Sequence, residues 1–194
     1  MSAHPSAAIP QPPDARLARR QALLSCAIIR NIAFYYAGWI SEDGRGQLKD
    51  DTELGRTINS NFIDMAVLEW AKLFVDARGR HHWYRFVRSV EARTAFRTGL
   101  LANIGLDLPA WEQYHEDVRV YRDRFIAHLD DDDVMTPPRL RLARDSTLFF
   151  YENLAANAPV GAIAGRLPHD LRDYYDACTD LASTYHVSYV SDGI

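Results

Sequence analysis

Apolar residues in this chain return every three or four positions over long stretches, and nowhere do they alternate over a useful length. This spacing constrains the fold more than any other feature, because a helix buries a stripe of period 3.6 and a half-buried strand buries every second residue. From Asp14, a residue suited to capping a helix, the spacing of Leu17, Leu24, Ile28, Ile32 and Tyr35 or Tyr36 predicts a helix to about Trp39. Gly44, Gly46 and Gly55, mixed with charges, predict a loop over residues 41–56. The stretch NSNFIDMAVLEWAKLFVDA, residues 59–77, is apolar around most of its circumference and is expected to be the most buried helix and the centre of the core.

The remaining segments read the same way. A turn at Arg78-Gly79-Arg80 leads to a short aromatic helix through Trp83, Tyr84, Phe86 and Val87, then to a helix from about Glu91 to Asn103 that ends near Gly105. Pro109 suits a first helical turn, and the stripe Trp111, Tyr114, Val118, Tyr121 and Phe125 carries a helix to about Leu129. Asp130 to Asp133 and Pro137-Pro138 stop it. Two more helices follow, near 139–157 and 168–186, separated by a segment containing Gly161 and Gly165. The expected architecture is all-α, an antiparallel bundle of about five to seven helices. Residues 1–13, rich in alanine and proline, read as a flexible leader, and residues 14–194 as a single helical domain.

Composition narrows the function classes. A formal charge of −4 opposes broad electrostatic coating of nucleic acid and leaves room only for a local basic site. No apolar run is long enough to span a bilayer, and the N-terminus lacks a charged flank with an apolar signal core, so a cytoplasmic protein with no membrane partner is expected. Cys26 and Cys178 lie far apart in no metal-binding or redox pattern and read as small buried hydrophobes.

The chemistry concentrates in Tyr121-Arg122-Asp123-Arg124-Phe125-Ile126-Ala127-His128-Leu129-Asp130. Histidine exchanges protons near neutral pH, and arginine holds a phosphate in a planar fork, so the segment has the parts for phosphodiester chemistry. On a regular helix His128 falls near the azimuth of Tyr114 and Tyr121, with Arg124 and Arg122 on opposite margins of the stripe. Helical side chains lean toward the N-terminus, so His128 leans toward Arg124, and Arg122 points away from it. The stripe is then either a core face, with His128 a hydrogen-bonded core residue, or a dimer face, where Arg122 acts across the interface.

The segment resembles the arginine-x4–6-histidine motif of HEPN domains (higher eukaryotes and prokaryotes nucleotide-binding), counted from Arg122 with five intervening residues and Asp123 as the polar residue after the arginine. RDRFIAHLD, together with NFIDMAVLEWAKLF in the earlier helix, looks most like the abortive-infection U-type branch. The resemblance covers residues 14–157 and leaves 158–194 as a C-terminal helical addition. It implies an all-helical fold, a homodimer formed through the motif helix, and metal-independent endoribonuclease activity in phage defence or a toxin–antitoxin system, with an antitoxin or defence partner.

The implied reaction is attack of an RNA 2′-hydroxyl on the neighbouring phosphate, giving a cyclic phosphate and a free 5′-hydroxyl. His128 is implied as general acid or base, Arg122 as the group that stabilises the phosphorane-like transition state, and Asp123 as the residue that orients Arg122 or the substrate. Arg124, beside His128 in the chain, is an auxiliary candidate. No cofactor or metal is implied. Some toxin members carry a tyrosine two residues after the histidine that an antitoxin modifies; Asp130 stands there in this chain. The competing reading, from a different class, is a non-catalytic helical dimerisation module.

Other constellations carry less. Adjacent His81 and His82 point apart on a helix and have no suitably spaced third ligand, so zinc is not expected. Asp130 to Asp133 lack the glycine and distal glutamate of a calcium loop and read as a solvated turn. Arg78, Arg80, Arg85, Arg88, Arg93 and Arg97 form the densest basic region, either a solvated face or a surface for RNA phosphates.

Overall fold

The computed structural model describes residues 14–126 and 137–191, with side chains to residue 186. Among these residues the protein is all-helical, with six α-helices and no strand. The leader proposed for residues 1–13 and the acidic turn at Asp130 to Asp133 lie outside the described residues.

Helix α1 spans Ala15–Ala37, and its N-cap is Asp14, whose carboxylate accepts from the Arg16 amide at 2.8 Å. Ala18, Ala22, Ile28, Ile29, Ile32 and Ala33 are fully enclosed. The small alanines let neighbouring helices approach closely, and α1 packs against α2, α5 and α6 alike. The centre of the bundle is therefore α1 rather than the segment 59–77.

Helix α2 spans Glu53–Phe74 and buries Ile63, Ala66, Val67, Trp70, Ala71, Leu73 and Phe74 while Met65 stays exposed, so its apolar character is one-sided. It starts six residues before Asn59, inside the expected loop. Thr52 Oγ1 caps it by accepting from the Gly55 amide at 3.1 Å, and Asp50 in turn accepts from the Thr52 hydroxyl at 2.7 Å. The true loop before it is pinned by Ile40 N to Gln47 O and Lys49 N to Gly38 O, both 2.9 Å.

The segment after α2 forms one 3-10 turn, Trp83–Arg85, tighter than the short helix expected there. Helix α3, Val90–Ile104, is capped by Ser89 and ends at Gly105, whose left-handed φ of 68° favours a residue without a Cβ. Helix α4 spans Leu108–Tyr121. Helix α5, Leu140–Asn157, packs on α1 and α3, and Trp70 Nε1 donates to Ser146 Oγ of α5 at 2.9 Å in the core. Helix α6, Leu171–Ser191, returns along α1, burying Leu171 and Cys178. No helix among the described residues is long and apolar enough to cross a membrane.

Candidate functional site

Asp107 caps α4 by accepting from the Ala110 amide at 2.9 Å, with Pro109 in the first turn where its missing N–H costs nothing. Trp111, Tyr114, Val118 and Tyr121 then form one buried stripe against α2, where Trp111 and Tyr114 meet the Trp70 ring edge-on at centroid distances of 5.7 and 5.1 Å. The stripe orients the end of α4 toward α2 and so decides what the motif can reach.

The helix does not continue regularly through the motif. Arg122–Ile126 form a π-helical turn, which takes up an extra residue and widens the coil. The azimuths assigned to Arg122, Arg124 and His128 assume a 3.6-residue period, and that period stops at Tyr121. Phe125, expected on the buried stripe, is half-buried, and Arg124 is exposed. His128 lies outside the described residues, so the described part of the motif comprises Arg122, Asp123 and Arg124.

Two contacts tie the end of α4 and the start of the wide turn to α2 and the residues just after it. Tyr121 donates its hydroxyl proton to Asp64 Oδ1 at 2.8 Å. Burial raises the Asp64 carboxyl above its ordinary value, and the tyrosine hydrogen bond partly opposes that rise. Burial also pushes the Tyr121 hydroxyl up, helped by the nearby Asp64 charge, so this phenol stays protonated. Beside it, Arg122 Nε donates to Asp123 Oδ1 and Arg122 Nη1 donates to Asp76 Oδ1, each at 2.8 Å. The Asp123 hydrogen bond, reinforced by Asp76, raises the Arg122 pKa against the opposing effect of its partial burial.

Arg122 is therefore held by partners of its own chain. It reaches Asp76, just beyond the C-terminal end of α2, where the Asp76 amide donates to Ala71 O at 2.9 Å. The described site contains one guanidinium shared between two carboxylates. A phosphate arriving there would take over a nitrogen that Asp76 now holds, an exchange of one charge-assisted hydrogen bond for another.

Asp76 and the Tyr121–Asp64 pair escaped the sequence reading. Asp64 had a signal, a carboxylate that with Glu69 interrupts the apolar run NFIDMAVLEW, whereas Asp76 had none, since its contact with Arg122 spans 46 residues of chain. His82, by contrast, is a structural residue. Its Nε2 lies 3.0 Å from Phe74 O, and its Nδ1 accepts from the Tyr84 amide at 3.2 Å, which makes Nε2 the protonated nitrogen. Burial pushes its pKa down to about 4. Cys26 is also buried, and desolvation pushes its thiol up to about 11, which leaves it unreactive at neutral pH.

Five of the six arginines of the basic region converge. Arg78, Arg80, Arg85, Arg88 and Arg93 line one cleft with Arg20 of α1, while Arg97 does not. A second cavity, between the C-terminal end of α1, the loop after it, α5 and α6, has mixed charge from Arg139, Arg144, Asp43 and Asp176. Compared with known proteins, the chain matches no protein-family model, no curated protein and no solved structure.

Proposed function

We propose that this protein is an HEPN-like endoribonuclease that cleaves RNA without a metal. Arg122 binds the scissile phosphate, Asp123 positions Arg122, His128 transfers protons, and Arg124 is an auxiliary cation. The observation that carries the reading is the setting of Arg122: a part-buried guanidinium, gripped by Asp123 and Asp76 at the point where the helix widens. Widened turns interrupt otherwise regular hydrogen bonding and are frequent at functional sites.

In this reading the ribose 2′-oxygen attacks phosphorus and the bond to the 5′-oxygen breaks. The 2′-hydroxyl proton leaves to a base, and the departing 5′-oxygen receives a proton from an acid. A homodimer through the motif helix brings two His128 side chains to one cleft and so supplies both partners. Arg122, with a fork that matches phosphate oxygens, offsets the charge that builds up on the phosphorane. A role in phage defence or in a toxin–antitoxin pair follows from the family resemblance.

One observation favours a second reading, a non-catalytic dimerisation module. Arg122 already has two carboxylate partners, as a purely structural arginine would. The two readings part on one experiment, incubation of RNA in chelator with wild type, His128→Ala and Arg122→Ala. The enzyme reading expects cyclic-phosphate ends from wild type and a loss of roughly 100-fold or more on removing the proton-transfer group. Equal cleavage by wild type and His128→Ala would remove the histidine from the mechanism. Absence of cleavage across varied RNAs would leave the dimerisation module.

A further inference from the structure

The chain carries a formal charge of −4, yet Arg20, Arg78, Arg80, Arg85, Arg88 and Arg93 line a single cleft of about 740 Å³. A merely solvated face spreads such charges over convex surface, where water and salt screen each one separately. Here they come from three parts of the chain, the first turns of α1, the segment after α2, and the start of α3, and they surround a concavity.

The wall of the cleft is braced. Gln21 of α1, fully buried, donates its amide hydrogens to His81 O at 3.0 Å and His82 O at 3.1 Å, which fixes the connecting segment to α1. Arg85 donates to Gly79 O and Arg78 O, and Arg93 donates to Val87 O and Tyr84 O. These partners are backbone carbonyls, so both side chains are held in place without a carboxylate to neutralise them. No ion pair to Arg20, Arg78 or Arg80 forms among the described residues. The acidic lining residue, Asp14, is engaged as the cap of α1. His81, also on the wall, is held toward its neutral form by burial and by the Arg20 and Arg80 charges, and its Nδ1 makes no hydrogen bond.

The cleft adjoins the motif. Asp76, the partner of Arg122, is two residues from Arg78, a Cα separation of at most about 7.6 Å. Ala77 between them also lines the cleft. Tyr84 offers an aromatic ring, but Arg93 lies over it at 4.7 Å, so a base cannot stack on that face. What remains for a ligand is concentrated positive charge, with Arg85 and Arg93 held in place, the recognition chemistry of phosphates.

We propose that this cleft binds the phosphate backbone of the single-stranded RNA segment next to the bond that Arg122 addresses, independently of base sequence. The proposal rests on the ribonuclease reading for the identity of its ligand. Single-stranded RNA fits better than duplex, because the basic surface is one local, open cleft on an acidic protein rather than a broad face.

The test is fluorescence anisotropy with a labelled, mixed-sequence 2′-O-methyl RNA oligonucleotide, which lacks the nucleophile and reports binding without cleavage. Relative to wild type, the Arg78→Ala/Arg80→Ala double variant is expected to bind roughly tenfold more weakly near 50 mM salt, and its log affinity against log salt should lose about 1.4 in slope, about 0.7 for each phosphate contact removed. A control with two arginines removed elsewhere, Arg56→Ala/Arg172→Ala, should bind as wild type does. Unchanged affinity and slope in the Arg78/Arg80 variant, an equal loss in the control, or no binding by wild type overturns the proposal. RNA that binds through Arg78 and Arg80 but is never cut overturns the nuclease reading and leaves the cleft standing. RNA that is cut with binding indifferent to both arginines overturns the cleft alone.

Discussion

Arg122 and Tyr121 are adjacent, yet their bonds, to Asp76 just after α2 and to Asp64 within it, differ in worth. The Asp76 side chain is 42% exposed and that of Arg122 21%, so solvent screens the ion pair and its net contribution is under about 1 kcal/mol. Asp76→Asn should therefore leave the urea midpoint nearly unchanged; a loss above about 2 kcal/mol would mean that the pair is a structural clamp rather than a reserved phosphate contact. Tyr121 is almost fully buried, and its hydroxyl is the hydrogen-bond partner of a half-buried carboxylate. Tyr121→Phe leaves Asp64 without that donor and is expected to cost about 1–2 kcal/mol. The hydrogen bond lowers the Asp64 pKa, so removing it raises that pKa further. A raised folded-state carboxyl pKa favours folding at low pH and disfavours it once the group must ionise, so the penalty of Tyr121→Phe should grow as pH rises through the Asp64 titration. Urea melts of wild type and variant at acid and neutral pH check this, and a penalty independent of pH would remove Asp64 from the explanation.

Among the elements, the docking of α4 on α2 carries the motif. Trp70 is fully buried, stacks on Phe74 at 5.0 Å, meets Trp111 and Tyr114, and donates to Ser146. Trp70→Ala should cost about 3–5 kcal/mol through the cavity it leaves. Trp70→Phe retains part of the ring packing and loses the indole donor, so a smaller loss, near 1–2 kcal/mol, is expected from urea unfolding. Equal losses would show that the hydrogen bond matters more than the packing. The same elements show what sequence could and could not reveal. Helix α4 was legible to Tyr121 because its apolar stripe faces one partner throughout. The first turn of α2 was not, because it is exposed apart from half-buried Gly55 and is held by Thr52 and Asp50 rather than by apolar contacts. The π-helical turn at Arg122–Ile126 was also invisible, since periodicity reports which face is apolar and cannot register a single extra residue. That one residue alters the geometry on which the pairing of His128 with Arg124 was inferred.

For the molecule as a whole, the all-helical class was readable from spacing, whereas the central place of α1 and the convergence of α1, the segment after α2 and α3 on one basic cleft needed the fold. The packing also sets a pH response. Burial lowers the pKa of His82 and of His115 from 6.5 to about 4. Between those values the unfolded chain binds protons that the folded chain refuses, so stability is complete above about pH 6.5 and is lost as pH falls toward 4, by up to about 1.4 kcal/mol per pH unit for each histidine. The raised Asp64 carboxyl works in the opposite sense, since the folded state keeps its proton to higher pH than the unfolded chain does. His115 provides the separate test. Its ring lies 4.5 Å from Trp111 and 5.4 Å from Trp70 by centroid, and its buried Nε2 makes no hydrogen bond, so a phenyl ring can replace it without losing a polar contact. His115→Phe is expected to match or exceed wild-type stability at pH 7 and to make the histidine-driven decline below pH 6.5 shallower, leaving the shares of His82, His81 and His186. A urea midpoint that falls as steeply in the variant as in wild type would mean that His115 titrates freely and that its burial against the two tryptophans contributes nothing to the acid sensitivity.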